Sequence, residues 1–136
     1  MCLYANRFCP FRVSLRKRKV YKVLMKNKCN GVLLTPYRFA EVNMNDKTIK
    51  ASGRIEISHP VAKYKCIDGG MIHSFTNIVS ALYFAMMLKQ EHIGWELSDD
   101  FLVYEAIIPP FTLYLSGNNF DIASRRVELT REMYKI

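Results

Sequence analysis

The sequence predicts an α+β fold, a mostly antiparallel or mixed sheet packed on one long buried helix, and three features lead to it. Short segments alternate apolar and polar residues, as in Val20-Tyr21-Lys22-Val23-Leu24-Met25. From Ile78 onward apolar residues recur at helical spacing. Phe101 to Ile108 is an almost continuous apolar run of strand length, the pattern of a strand with neighbours on both sides. Strands in series with a single helix in mid-chain favour a helix laid on a sheet over a βαβ succession.

The elements follow in order. The first strand, Val20 to Met25, ends at Lys26-Asn27-Lys28-Cys29-Asn30-Gly31, whose Asn-Gly pair suits a tight hairpin, and Val32-Leu33-Leu34-Thr35 returns. Pro36 stops that strand, Tyr37 to Val42 resumes an alternation, and Asn43 to Lys47 is a polar loop. Gly53 to Ser58 reads as a short strand with Ile55 and Ile57 inward, closed by His59-Pro60. Asp68-Gly69-Gly70 permits a turn with positive φ, after which Met71 to Phe75 forms a brief strand leading into the helix.

Thr76 is the expected N-cap, and the helix is expected to run to about Glu91, with Gly94 as its stop. Positions 78, 79, 81 to 88 are nearly all apolar, so burial on several sides is expected. Phe101 to Ile108 is the central strand, closed by Pro109-Pro110. Thr112 to Ser116 and Val127 to Thr130 are two further strands, joined through Gly117-Asn118-Asn119 and Asp121 to Ser124.

A chain of 136 residues, half of them hydrophobic, is one domain with a real core. Residues 1–136 contain no linker or repeat, and the first 19 or so form a basic N-terminal arm. No apolar run reaches the roughly 18 residues of a membrane span. Cations at Arg7, Arg12 and Arg16 to Lys19 fill the place of a secretory apolar segment, so the cytoplasm of a host cell, or a virion, is the expected location. Cys2, Cys9, Cys29 and Cys66 show no CxxC pair, and His59, His73 and His92 supply no ligand spacing, so neither metal nor cofactor is expected.

Charge is distributed unevenly. Residues 1–40 hold ten Lys or Arg and no Asp or Glu, whereas 41–136 hold ten basic and twelve acidic residues. Such a local excess attracts phosphate backbones or acidic protein surfaces. The residues that would carry this contact are Arg7, Arg12, Arg16, Lys17, Arg18, Lys19, Lys22 and Arg38, interleaved with Phe8, Phe11, Tyr21, Tyr37 and Phe39 as stacking rings. The bland alternative is a solvated charge cluster over aromatics that belong to the core.

No phosphate-loop, dinucleotide, nucleophile-elbow or zincin motif is present. His73 and Ser74, at a strand end ahead of a helix, form a candidate ligand pocket, because an imidazole beside a hydroxyl at a helix N-terminus suits anions. Asp99, Asp100 and Glu105 lie near the central strand, but adjacent Asp99 and Asp100 would point to opposite faces and read as a loop.

Met1-Cys2-Leu3-Tyr4, Val20-Tyr21-Lys22-Val23-Leu24, Thr35-Pro36-Tyr37-Arg38, Gly70-Met71-Ile72-His73-Ser74-Phe75, Tyr104 to Pro109, Tyr114 and Ile122-Ala123-Ser124 together resemble a group of small proteins from bacteriophages and mobile elements of gut bacteria. Relatives carry Pro-Lys-Gly where this chain has Pro109-Pro110-Phe111. The resemblance implies a phage or mobile-element context and assigns no site residue. The order of parts in the C-terminal third is also similar to that of ADP-ribosyltransferases. There an essential glutamate precedes the last strand; here the stretch is Ala123-Ser124-Arg125-Arg126.

Three functional readings follow. The first is an accessory protein that binds nucleic acid or an acidic protein surface through its basic N-terminal region. The second is an enzyme, or degenerate enzyme, holding a nucleotide-like ligand beside His73 and Ser74, and a pocket containing His73 with a nearby carboxylate would favour it. The third is a structural virion component. The sequence sets no oligomeric state.

Overall fold

The computed structural model describes residues 3–38, 40–98 and 100–136; the readings made of Met1, Cys2, Phe39 and Asp99 lie outside them. Strands β1 (Leu3–Asn6), β6 (Glu56–Val61) and β7 (Tyr64–Gly69) make a small sheet in the order β1-β7-β6. The large sheet takes β2 (Arg12–Val13), β3 (Arg18–Lys26), β5 (Thr48–Lys50), β8 (Ile72–Phe75), β9 (Phe101–Ile108), β10 (Leu113–Ser116), β11 (Asp121–Ser124) and β12 (Arg126–Lys135). Its order is β2-β10-β11-β8-β3-β9-β12-β5, with β4 (Leu33–Leu34) added to β3. Every pairing among the described strands is antiparallel.

The strands sort their side chains as a two-residue period requires. On β3, Val20 and Leu24 face one core layer with Ile72, Leu102, Ile108 and Val127, whereas Val23 and Met25 face the helix. β9 lies between β3 and β12, where its apolar run, broken only by Glu105, satisfies both faces. A third layer, of Leu3, Ala5, Ile67, Met71, Leu115 and Ala123, joins the small sheet to the large one.

The single helix is shorter and less enclosed than the sequence implies. Helix α1 spans Ile78–Gln90, 13 residues, and its cap is Asn77, whose side chain accepts from the Val79 N–H at 2.7 Å. The Thr76 hydroxyl donates instead to the Phe120 carbonyl at 3.1 Å. Ala81, Ala85 and Leu88 form the buried stripe, at the spacing of one helical face. Val79, Tyr83 and Met86 are 67%, 74% and 58% exposed. The apolar residues encircle the helix, but the described chain covers only the side lying on β3, β8 and β9.

Other elements depart from the sequence reading for local reasons. β6 continues through Pro60, because it is the edge of the small sheet and the missing N–H costs no ladder bond there. Ile57, expected inward, is 43% exposed on that edge. Asp121 to Ser124, expected as a connection, is the fully buried strand β11. The N-terminal segment is threaded through both sheets: Leu3–Asn6 pairs with β7, and Arg12–Val13 with β10. No helix among the described residues is long and apolar enough to cross a membrane.

Candidate functional site

The site begins where two strands part. β3 and β8 are neighbours in the sheet, yet they pair only at Tyr21 and Phe75. Past that point the ladder is open, and a backbone carbonyl facing the gap needs another donor. Lys22 supplies it: its Nζ donates to the His73 carbonyl at 2.7 Å. Because Lys22 lies on the same strand face as Val20 and Leu24, its side chain is inside the sheet, 6% exposed.

Over this gap opens a cavity of about 150 Å³. One wall is Thr35 to Arg38 together with Ala40, the second is the Asp68 to Met71 turn, and the third is the end of β5 with Lys50. Phe75 and Phe84, with ring centroids 5.2 Å apart, make the apolar side. Two arginines hold the walls by their backbones. Arg38 Nη2 donates to the Asp68 carbonyl, tying the loop to the turn. Arg125 Nη1 donates to the Gly53 carbonyl at 3.0 Å and also to that of Gly70, tying the segment after β5 to the same turn.

The turn requires its glycine. Gly70 has φ of +82°, and a Cβ there would stand 2.1 Å from the Arg54 carbonyl oxygen. Tyr37 also has a left-handed backbone, φ 68°, which a bulky residue adopts at a cost. The fold holds this aromatic in a strained conformation at the rim of the cleft.

Charge in the cleft is lopsided. Among the described lining residues Lys22, Arg38 and Lys50 stand against the carboxylate of Asp68. Burial lowers the Lys22 ammonium from its ordinary 10.5 to about 8, and no ion pair among the described residues includes it. His73 is lowered from 6.5 to about 4, chiefly by burial, then by the Lys22 charge and more weakly by Arg38. Its ring is therefore neutral near pH 7. The His73 Nδ1 is buried with no hydrogen-bond partner among the described residues. An imidazole, an amine without a counter-ion and a rim of cations can together bind an anion or move a proton.

The structure divides the residues named from sequence. His73 lines the cleft, but Ser74 is fully buried, points to the other face of β8 and is not among the lining residues; its Oγ is also without a partner among the described residues. Of the eight basic residues, Lys22 and Arg38 belong to the cleft. The other six are outside it. Arg7 lies 5.9 Å from the Phe8 ring, and Arg18 sits 4.7 Å over the Tyr114 ring while donating to its hydroxyl at 3.0 Å. Lys19 pairs with Glu105 at 2.9 Å, which raises its pKa through the hydrogen bond and the charge of that carboxylate. Arg12, Arg16 and Lys17 are exposed on β2 and in the bend that follows.

Lys50 and Asp68 escape a reading of the sequence, because nothing near them in the chain marks a site; they come from the far edge of the large sheet and from the small sheet, and share only the cavity lining with Lys22. The usable signal is Lys22 itself, a charged residue on the inward register of an apolar strand. Among the described residues no cluster of His, Cys, Asp or Glu is arranged to hold a metal ion. Comparison with protein-family models, with curated proteins and with solved structures finds no significant match.

Proposed function

We propose that this chain binds a small anionic molecule, or the charged end of a nucleotide-like one, in the cleft above Lys22. The observation that carries this reading is a nearly fully buried ammonium with no carboxylate paired to it, on the wall of an open cavity. Buried charges ordinarily come paired, because an unpaired one costs several kcal/mol, and an entering anion would supply the missing partner. The volume limits the ligand. About 150 Å³ matches a cavity that holds benzene, so a phosphate or a small acid fits inside while a base and ribose would lie along Tyr37 at the rim.

Calorimetric titration tests the reading with AMP, ribose 5-phosphate and uncharged adenosine. The two phosphates should bind and adenosine should not. Lys22→Met should weaken binding by roughly tenfold or more, the value of a charge-assisted hydrogen bond. Unchanged affinity in that variant would refute the site.

A second reading keeps the N-terminal basic surface as a contact for nucleic acid or an acidic protein, in the accessory role the phage resemblance implies. Its support is that Phe8 and Leu15 are 86% and 80% exposed beside Arg7, Arg16 and Lys17, an apolar and cationic mixture suited to stacking on bases. Affinity for duplex or single-stranded probes should fall steeply with salt. No binding at low salt would remove nucleic acid as the partner.

A further inference from the structure

We infer that Lys22 is a site of reversible imine formation, and that the ligand it captures is an aldehyde or ketone carrying an anionic group. The inference rests on the anion-binding reading of the cleft and specifies the substrate class.

Geometry is the first support. The amine is carried on a strand fixed between two neighbours, with Val20 and Leu24 on the same face, so its stem is held in place. One proton is directed at the His73 carbonyl, and no ion pair among the described residues locks the nitrogen as an ammonium. A lysine kept only to complete the sheet would be expected to meet a carboxylate there, since breaking a ladder costs less than burying a lone charge.

The surroundings are the second support. Arg38 and Lys50 line the same cleft and offer the anionic group of the ligand a docking point. With its pKa near 8, roughly a quarter of Lys22 is neutral at about pH 7.5, against about one in a thousand for an ordinary lysine. Desolvation in an apolar pocket is a recognised way of activating such an amine.

The chemistry balances without an oxidant or a reductant. The lone pair of the neutral amine attacks the carbonyl carbon, forming the C–N bond and opening the C=O pair onto oxygen. A proton passes from nitrogen to that oxygen to give the carbinolamine. The nitrogen then gives up its second proton as the C–O bond breaks, leaving C=N and releasing one water. His73 lines the same cleft with a neutral ring whose Nδ1 is unpartnered among the described residues, and it is a titratable side chain available to relay these protons.

The test uses the full chain, glyoxylate as the anionic carbonyl probe and cyanoborohydride to fix any imine as a stable secondary amine. Peptide mapping should find Lys22 labelled at least tenfold faster than exposed Lys63 and Lys135, with AMP slowing that labelling alone. Acetaldehyde, which lacks the anionic group, should show no such preference. Lys22→Arg should lose the adduct and leave the labelling of the surface lysines unchanged. Labelling that follows exposure, with Lys22 among the slowest, overturns the inference whether or not any variant folds. AMP binding without preferential labelling of Lys22 would leave the anion cleft standing and reject the imine. Preferential labelling without AMP binding would support the imine and reject the nucleotide-like ligand.

Discussion

The Lys22 ammonium donates to the His73 carbonyl at 2.7 Å, and, after burial, the same ammonium is the strongest influence keeping the His73 ring neutral. A cation and a titratable ring thus share one opening in the sheet, and each leaves a separate mark on stability.

Lys22 gives an alkaline mark. Its folded pKa is about 8, below the ordinary 10.5, so between those values the unfolded chain binds more protons. Stability therefore rises with pH across that window, by up to about 3 kcal/mol, and the burden is fully present below it. Lys22→Met should remove this rise, while leaving the His73 carbonyl without its donor at every pH. Tyr37 and Tyr104, both raised by burial, titrate in either protein and cancel in the difference. Urea melts at neutral and alkaline pH measure it, and a difference independent of pH would contradict the burial of the amine.

His73 gives an acid mark. Its pKa falls from 6.5 to about 4 on folding, so on acidification the unfolded chain takes up the proton first. Stability is lost as pH falls through that interval, by an amount of order 3 kcal/mol. His73→Gln should flatten this part of the profile, and an NMR titration of the imidazole should show it neutral well below the ordinary histidine range.

Two glycines separate backbone strain from collision. Gly53 has φ of +76° with nothing within 4 Å of the point a Cβ would occupy, so Gly53→Ala should cost only the roughly 1–2 kcal/mol of a left-handed L-residue. Gly70 adds a 2.1 Å approach to the Arg54 backbone, which cannot swing aside. Gly70→Ala should cost distinctly more and weaken anion binding as well, because the turn is one wall of the cleft. Equal melting temperatures for the two variants would refute this.

The helix offers a two-sided check of its burial. Ala85 is fully buried and Tyr83 is 74% exposed, two residues earlier. Ala85→Asp should cost several kcal/mol and unfold a domain of ordinary stability, whereas Tyr83→Asp should change it by about half a kcal/mol. Thermal melts of both variants decide it.

What the sequence makes legible follows from how locally each feature is specified. β3 and β9 declare themselves, because their own alternation or continuous apolarity matches the faces they bury. β7 does not: its inward residues include Lys65, whose amine is spent on the Cys9 carbonyl, so the strand reads as charged. The helix reads as too enclosed because apolar residues on its outer face look like core residues when only the chain is seen. For the site, Lys22 falls among the surface cations of the basic segment, although its register between Val20 and Leu24 already puts it inside. The Arg38 wall is beyond reach, since it depends on a carbonyl at Asp68, on a different strand.

The pairing order also governs when the molecule can come into being. β3, made early, takes its main partner from Phe101–Ile108, while β2 pairs with Leu113–Ser116 and β12 closes over β9 and β5. β2, β3 and β5 thus wait on strands of the last third, and such non-local pairing slows folding to the millisecond-to-second range. A growing chain would emerge from the ribosome with most of β3 unpaired until the last third had followed, only Met25 and Lys26 meeting β4 and Tyr21 meeting β8 before then. During that interval the cations that end up divided between surface and cleft all face water, and a net charge of one sign acts against association of the exposed apolar strands.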